Sequence, residues 1–238
     1  MFKREVSDRY DVEWFKRHLD EYEKAYFGIQ GDTNVKIRNT VERSFEDEEI
    51  VQKRLNKGII DPTVVAWKAG RLSSKVIDTK QERIILNGYG NPIDIDELKR
   101  YLNRIEDEKS KLNLSPVKTN TVLEYIEQFG ECYKVLSKVC APIPKNVGAV
   151  YIINLLFFLS KGEYPIYDKF AHVALKALSL GVSPSYAFVG GAPEKGEIKK
   201  VKSMYLDYVS LIDSLIGLEV YGKDRKWDRA LWAYGHAR

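Results

Sequence analysis

Residues 140–178 read C-A-P-I-P-K-N-V-G-A-V-Y-I-I-N-L-L-F-F-L-S-K-G-E-Y-P-I-Y-D-K-F-A-H-V-A-L-K-A-L, and this stretch decides the fold. A short Pro-rich turn is followed by an apolar run from Gly148 to Ser160, which predicts a buried helix. After a polar turn at residues 161–163, Pro165 restricts the chain and Asp168 stands at the start of another predicted helix. The stretch therefore predicts consecutive helices joined by short turns, with one carboxylate at a helix N-terminus.

Helical patterns also dominate the rest of the chain. Apolar residues recur every three or four positions in residues 8–26 and 202–218, and a shorter helix is predicted at residues 224–234. Thr121 and Glu124 form a capping box that opens a helix toward residue 139, and Gly130 is expected to interrupt it. We therefore expect a mainly α protein.

Composition excludes several functional classes. The chain has 44% hydrophobic and 30% charged residues, as ordinary globular proteins do, and its longest apolar run is too short to span a bilayer. Without an apolar N-terminal segment, we expect a cytoplasmic protein with no membrane partner. Two cysteines without a CxxC motif and only three histidines predict no metal site, and no cofactor is implied. A net charge of +4 permits a nucleic-acid partner without requiring one.

The Pro-rich turn joins two predicted helices in a helix-hairpin-helix arrangement. Such a hairpin can direct backbone N–H groups and a helix N-terminus at a DNA phosphate. Lys145 and Asn146 would add a positive charge and a hydrogen-bond donor there. An ordinary connection between two helices is the alternative, and the pattern alone favours it.

Two roles are open to Asp168. As a helix N-cap it would contribute about 1 kcal/mol to stability. As an ionised carboxylate beside a pocket it could stabilise an oxocarbenium-like sugar or deprotonate a nucleophile, as in cleavage of a glycosidic bond. The spacing alone favours the cap.

Residues 156–168, L-F-F-L-S-K-G-E-Y-P-I-Y-D, followed by a helix, resemble the core of the helix-hairpin-helix DNA glycosylase superfamily, and most closely its 8-oxoguanine DNA glycosylase fold. The segments P-I-Y-D-K-F-A (165–171), A-W-K-A-G-R (66–71) and R-A-L-W-A-Y-G-H (229–236) resemble a bacterial branch of that fold, some members of which occur in anti-phage defence contexts. The core resemblance covers residues 121–180. It implies two helical subdomains with a cleft between them.

Three regions follow from this resemblance. They are an N-terminal helical region (1–118), a helix-hairpin-helix subdomain that contains Asp168 (119–180), and C-terminal helices that pack back on the N-terminal region (181–238). The resemblance further implies that Asp168 is the catalytic residue of a DNA glycosylase, which flips a modified base out of the duplex. The DNA-binding residues that it implies in or beside the hairpin are Lys145, Asn146, Val147 and Gly148.

The chain departs from the glycosylase pattern at one important position. Bifunctional members carry a Schiff-base lysine at the start of the second hairpin helix, where this chain has Ala149, and Lys145 is the nearest lysine. The usual G-x-G of the hairpin is also absent from residues 142–148. We therefore expect a monofunctional glycosylase that uses Asp168 and a water molecule. A catalytically silent DNA-binding protein and an interaction component of a defence system are the alternatives.

The remaining site candidates surround Asp168 or lie in the flanking motif at 66–71. Lys169 and His172, on the helix that Asp168 opens, are predicted DNA contacts. The candidates for a base pocket are Tyr167, Trp67 and Arg71. Packing in the core is the alternative for Trp67, Tyr167 and His172. The expected partners are DNA and, in a defence context, partner proteins.

Overall fold

The structure is a computed structural model that describes residues 10–27, 110–112, 121–139, 148–222 and 224–236, four helical residues at 103, 104, 107 and 108, and the backbone of three short strands. These residues are mainly helical, which confirms the predicted class. In the described part of the chain, every helix is too short or too polar to cross a membrane.

The helices in chain order are α1 (Val12–Arg17), α2 (Leu19–Tyr26), α3 (Val122–Val139), α4 (Ala149–Leu159), α5 (Lys169–Leu180), α6 (Ile198–Leu215), α7 (Leu218–Tyr221) and α8 (Lys226–His236). A 3-10 helix, Pro184–Tyr186, lies between α5 and α6. Strands β1 (Ile77–Asp78), β2 (Arg83–Ile84) and β3 (Ile93–Asp94) form an antiparallel sheet in that order, with Ile84 opposite both Ile77 and Ile93.

The chain divides into two compact units, and each is assembled from separate segments. The first unit comprises Met1–Thr40, Asp168–Gly191 and Asp207–Arg238. The second comprises Val41–Tyr167 and Ala192–Leu206. The three regions proposed from the sequence, 1–118, 119–180 and 181–238, stay predictions.

Helix α8 is the centre of the first unit, where it packs against α2 and α5. Its buried residues include Trp227, Leu231 and Trp232, and burial of such large apolar side chains is the main source of stability. Two ion pairs add to the contact with α2. Arg229 Nη1 lies 2.6 Å from Glu23 Oε1, and Lys226 Nζ lies 2.6 Å from Asp20 Oδ1.

Gly235 sets the close approach of α8 to the start of α5. A Cβ atom at this position would lie 2.1 Å from the carbonyl oxygen of Phe170, a distance that no real Cβ contact shows. Any side chain at Gly235 would therefore force the two helices apart. The glycine in the R-A-L-W-A-Y-G-H motif thus has a packing role.

The single helix predicted over residues 8–26 is interrupted at His18. This residue has φ −108° and ψ 13°, and its N–H donates to the carbonyl of Phe15 at 3.0 Å. Its ring turns back onto the preceding turn, where it stacks on Trp14 with 4.3 Å between ring centroids and Nδ1 lies 2.8 Å from the Trp14 carbonyl oxygen. The apolar periodicity continues across the break, which is why the sequence did not reveal it.

The second unit contains α3 and α4. The predicted interruption at Gly130 was wrong, because α3 runs without a break from Val122 to Val139. Gly130 instead accommodates the side chain of Lys202, whose Cδ would lie 2.8 Å from a Cβ at Gly130 and whose Nζ pairs with Glu127 at 2.5 Å. The start of α3 is capped as predicted, since Thr121 Oγ1 accepts a hydrogen bond from the N–H of Glu124 at 3.2 Å.

The apolar run from Gly148 to Ser160 folds into the buried helix α4, as predicted. Residues 152–159 are all buried, so this helix has no polar face along that length. Gly148 and Ser160 stand at its two ends. The helix thus forms an apolar core from which the chain runs on toward Asp168.

Candidate functional site

Asp168 is the N-cap of α5, as the sequence predicted. Its backbone is extended, with φ −135° and ψ 141°, and Oδ1 accepts a hydrogen bond from the N–H of Phe170 at 2.8 Å. Within the described part of the chain Oδ2 has no hydrogen-bond partner, and the residue is half-buried. One carboxylate oxygen therefore holds the helix end, while the other is available to a ligand.

Two buried side chains of the second unit hold the extended segment that runs into Asp168. Asn154 Oδ1 accepts a hydrogen bond from the N–H of Tyr167 at 2.9 Å. The hydroxyl of Tyr205 donates to the carbonyl of Pro165 at 2.7 Å. The backbone immediately before the carboxylate is thus fixed by Asn154 and Tyr205, neither of which the sequence singled out as a site residue.

Asn154 is an exception within its helix. It is 1% exposed and is surrounded in sequence by the apolar residues of α4. Its Nδ2 is buried and, among the residues that the structure describes, has no hydrogen-bond partner. A lone amide in an apolar helix is the sequence signal that could have identified it, because a buried amide is costly unless it is hydrogen-bonded.

The first unit contains a buried polar network that the sequence did not predict. The hydroxyls of Tyr208 and Tyr221 lie 3.0 Å apart, and Arg225 Nη2 donates to Asp228 Oδ2 at 2.8 Å. Burial raises the pKa of the Tyr221 phenol, and the negative charges of Asp228 and Asp168 raise it further. The hydrogen bond between Tyr208 and Tyr221 and the charge of Arg225 act in the opposite direction. The network therefore lies within electrostatic reach of the Asp168 carboxylate.

His172 lies in the core of the first unit. It is 2% exposed, its Nε2 is 3.0 Å from Asp207 Oδ2, and its ring meets that of Tyr208 edge to face. Burial lowers the pKa of His172; the nearby Asp207 carboxylate opposes this effect, and Lys176 adds to it. This geometry is that of a core histidine with its hydrogen bond satisfied, the alternative that the sequence left open. A phosphate contact for His172 stays a prediction.

The start of α5 presents a lysine and an aromatic ring beside Asp168. Lys169 is exposed and has no ion pair within the described residues. Phe170 is 41% exposed, and its ring centroid lies 3.5 Å from that of His236. His236 also contacts Trp232, with 3.9 Å between centroids, and its Nδ1 lies 2.8 Å from the Trp232 carbonyl oxygen. The half-exposed surface next to the carboxylate therefore combines a positive charge with aromatic side chains.

The other predicted site residues differ in burial and in whether the structure describes them. Tyr167 is 1% exposed and packs in the core of its unit, the alternative stated for it. Gly148 is the exposed N-cap of α4 and Ala149 is fully buried. The predicted residues that lie outside the described part of the chain are Lys145, Asn146, Val147, Trp67 and Arg71.

In the part of the chain that the structure describes, no group of three His, Cys, Asp or Glu side chains is arranged to hold a metal ion. Comparison with known protein families, with curated proteins and with solved structures finds no match to this chain.

Proposed function

We propose that the protein is a monofunctional DNA glycosylase that cleaves the N-glycosidic bond of a flipped, modified base with Asp168. The observation that carries the proposal is the difference between the two oxygens of this carboxylate. Oδ1 is held by the N–H of Phe170 at 2.8 Å, and Oδ2 has no partner among the described residues. Such a carboxylate is fixed in place and can still face a substrate.

The proposed reaction needs only Asp168 and water from this site. The bond between C1′ and the base breaks, and its electron pair leaves with the base. The sugar becomes an oxocarbenium-like cation, and a negative charge held close to it lowers the energy of that state. Water then adds its hydroxyl group to C1′, and its proton neutralises the departing base. The base must first leave the stack, because its glycosidic bond is not accessible within the duplex.

Ala149 supports the monofunctional form of the proposal. The resemblance places a Schiff-base lysine at this position in bifunctional enzymes, and the alanine here is fully buried. An amine that forms a Schiff base must reach C1′ of the sugar, and an alanine methyl group supplies no nucleophile. The expected product is thus an abasic site with the DNA strand intact.

DNA binding in this proposal relies on the hairpin and on the start of α5. Gly148 exposes the N-terminus of α4, where free N–H groups can receive a phosphate. Lys169 is exposed beside Asp168 and has no ion pair within the described residues, so its charge is free to meet the DNA backbone.

A base-release assay tests the proposal. Purified protein is incubated with duplexes that carry oxidised, alkylated or deaminated bases, and free base and abasic sites are both measured. The wild type is expected to release one class of base without cutting the strand. Asp168→Asn is expected to bind the same duplex with unchanged affinity and to release no base. Release by Asp168→Asn at the wild-type rate would remove Asp168 from the mechanism.

A catalytically silent DNA-binding protein is the second candidate. The observation that favours it is the cap bond itself, because a hydrogen bond to the N–H of Phe170 explains the presence of Asp168 without any chemistry. In that case wild type and Asp168→Asn bind modified DNA equally well, and neither releases a base from any duplex of the panel.

A further inference from the structure

We propose that Asn154 is a positioning residue for Asp168: its side-chain carbonyl holds the N–H of Tyr167, the residue that precedes the carboxylate. The catalytic part of this inference rests on the proposed glycosylase function, whereas the positioning itself does not. The two residues belong to different segments of sequence, and the link between them is Tyr167, whose N–H binds Asn154 and whose carbonyl carbon is bonded to the nitrogen of Asp168.

Asn154 is costly to its own helix. The residue is 1% exposed, and its neighbours along α4 from residue 152 to 159 are buried and apolar. Nδ2 is buried without a partner in the described part of the chain, and an unmade hydrogen bond of this kind is destabilising. Leucine has the same branched arrangement of four side-chain heavy atoms and would avoid that cost. Packing alone therefore does not account for an asparagine here.

The side-chain amide of Asn154 binds the backbone next to Asp168. Oδ1 accepts a hydrogen bond from the N–H of Tyr167 at 2.9 Å, which belongs to the peptide group between Ile166 and Tyr167. On the other side of Asp168, the N–H of Phe170 donates to Oδ1 of the carboxylate at 2.8 Å. In the sequence, Asp168 thus lies between two hydrogen bonds, of which the first holds the residue before it and the second holds its side chain. Loss of the first bond frees Tyr167, the residue to which Asp168 is joined.

Two substitutions at Asn154 test the catalytic consequence. Asn154→Leu leaves the N–H of Tyr167 without its acceptor but also removes the buried donor that lacks a partner. These two effects oppose each other, so the melting temperature is expected to shift by only about 4 °C. Its rate of base release is expected to fall by about 100-fold, because a small displacement of a catalytic group has effects of that size. Affinity for the duplex is expected to stay unchanged. Asn154→Asp, which burial favours in the protonated form, keeps a carbonyl oxygen that can accept from Tyr167 and is expected to retain most of the rate.

A wild-type rate in Asn154→Leu would overturn the inference, as would equal loss of rate in the leucine and aspartate variants. Ser160→Ala is the matched control from the end of the same helix. Ser160 is 5% exposed, and its hydroxyl accepts from the N–H of Tyr164 at 3.3 Å, earlier in the same segment. This variant is expected to lose some stability and to keep the wild-type rate of base release.

A second measurement separates failure of this inference from failure of the proposed function. Amide hydrogen exchange reports the hydrogen bond of Tyr167 whether or not the protein releases a base. The Tyr167 amide is expected to lose protection in Asn154→Leu and to keep it in Ser160→Ala. If the wild type releases no base but this exchange pattern is found, the glycosylase function fails and the positioning stands. Unchanged protection at Tyr167 in Asn154→Leu would refute the positioning.

Discussion

At the scale of single residues, Asp168 has a structural role that can be separated from its proposed chemistry. Asparagine is as good an N-cap as aspartate, whereas alanine cannot accept the hydrogen bond from Phe170. The free energy of unfolding of Asp168→Asn is therefore expected to stay within about 0.5 kcal/mol of wild type. That of Asp168→Ala is expected to fall by about 1 kcal/mol. Urea denaturation followed by circular dichroism measures both. Equal losses in the two variants would show that the negative charge, rather than the cap bond, stabilises α5.

His172 gives a prediction for the dependence of stability on pH. Burial holds its pKa below the usual value, so the unfolded chain binds the proton more readily than the folded chain. The stability that this difference in pKa contributes is fully present above the unfolded pKa of about 6.5 and is lost as the pH falls through the folded pKa.

His172→Gln is therefore expected to lose less stability than wild type between neutral pH and pH of about 5. Asp207→Asn is expected to lose more, because the Asp207 carboxylate opposes the lowering of the pKa. Urea denaturation at both pH values gives the differences. An unaltered pH dependence in His172→Gln would exclude this histidine as its source.

The sequence predicted the position of Asp168 but not the residues that hold it. A proline three residues before a capping aspartate is a local pattern, and local patterns can be read from sequence. Asn154 and Tyr205 reach the same segment from positions 13 and 40 residues away in sequence, respectively. Only tertiary packing brings such side chains to the backbone, so spacing within the chain cannot indicate them.

At the scale of secondary-structure elements, two glycines inside helices make a matched pair. A Cβ at Gly235 would lie 2.1 Å from the backbone oxygen of Phe170, which cannot move without its helix. A Cβ at Gly130 would meet only the flexible side chain of Lys202, at 2.8 Å. Gly235→Ala is expected to lower the free energy of unfolding by about 1–3 kcal/mol through overpacking. Gly130→Ala is expected to change it by less than about 1 kcal/mol, since better helix propensity offsets the displacement of Lys202.

Thermal and urea unfolding of both variants measures this difference. Because Gly235 lies against the turn that Asp168 opens, the α5 N-terminus is expected to lose amide protection in Gly235→Ala alone. Equal destabilisation by Gly130→Ala and Gly235→Ala would contradict this explanation, because it would mean that the Lys202 side chain yields no more easily than a helix backbone.

Sequence patterns predict the positions of the helices better than the places where they break. Helix α4 and the start of α5 were predicted almost to the residue, because an unbroken apolar run and a capping aspartate are strong local signals. Gly130 predicted an interruption that does not exist, since glycine serves there to admit Lys202. His18 interrupts a helix that the apolar periodicity predicted to be continuous. At His18 side-chain contacts accompany the break, and at Gly130 the helix accommodates the glycine without a break.

At the scale of the whole molecule, the first unit depends on segments from both ends of the chain. Helix α8 packs against α2, near the start of the chain, and against α5, which carries Asp168 as its cap. The ion pairs of Arg229 with Glu23 and of Lys226 with Asp20 reinforce the first of these contacts. The surroundings of Asp168 therefore depend on chain ends that lie far from it in sequence. The predicted helical periods indicated these helices but could not indicate how they pair.

At this scale, the effect of charge on affinity distinguishes a DNA partner from a protein partner. The chain carries a net charge of +4, and each DNA phosphate that a protein neutralises contributes about 0.9 to the slope of log affinity against log salt concentration. Affinity for a duplex is expected to fall steeply as the salt concentration rises.

Lys169→Ala is expected to reduce the slope by about 1, because this exposed lysine has no ion pair among the described residues. Lys16→Ala is the control, since Lys16 Nζ already pairs with Glu13 at 2.7 Å and its loss is expected to leave the slope unchanged. Fluorescence anisotropy with a labelled duplex over a series of salt concentrations gives the three slopes. Equal slopes for all three proteins would remove Lys169 from the interface, and a wild type that binds no duplex at any salt concentration would favour a protein-interaction role over both DNA-binding functions.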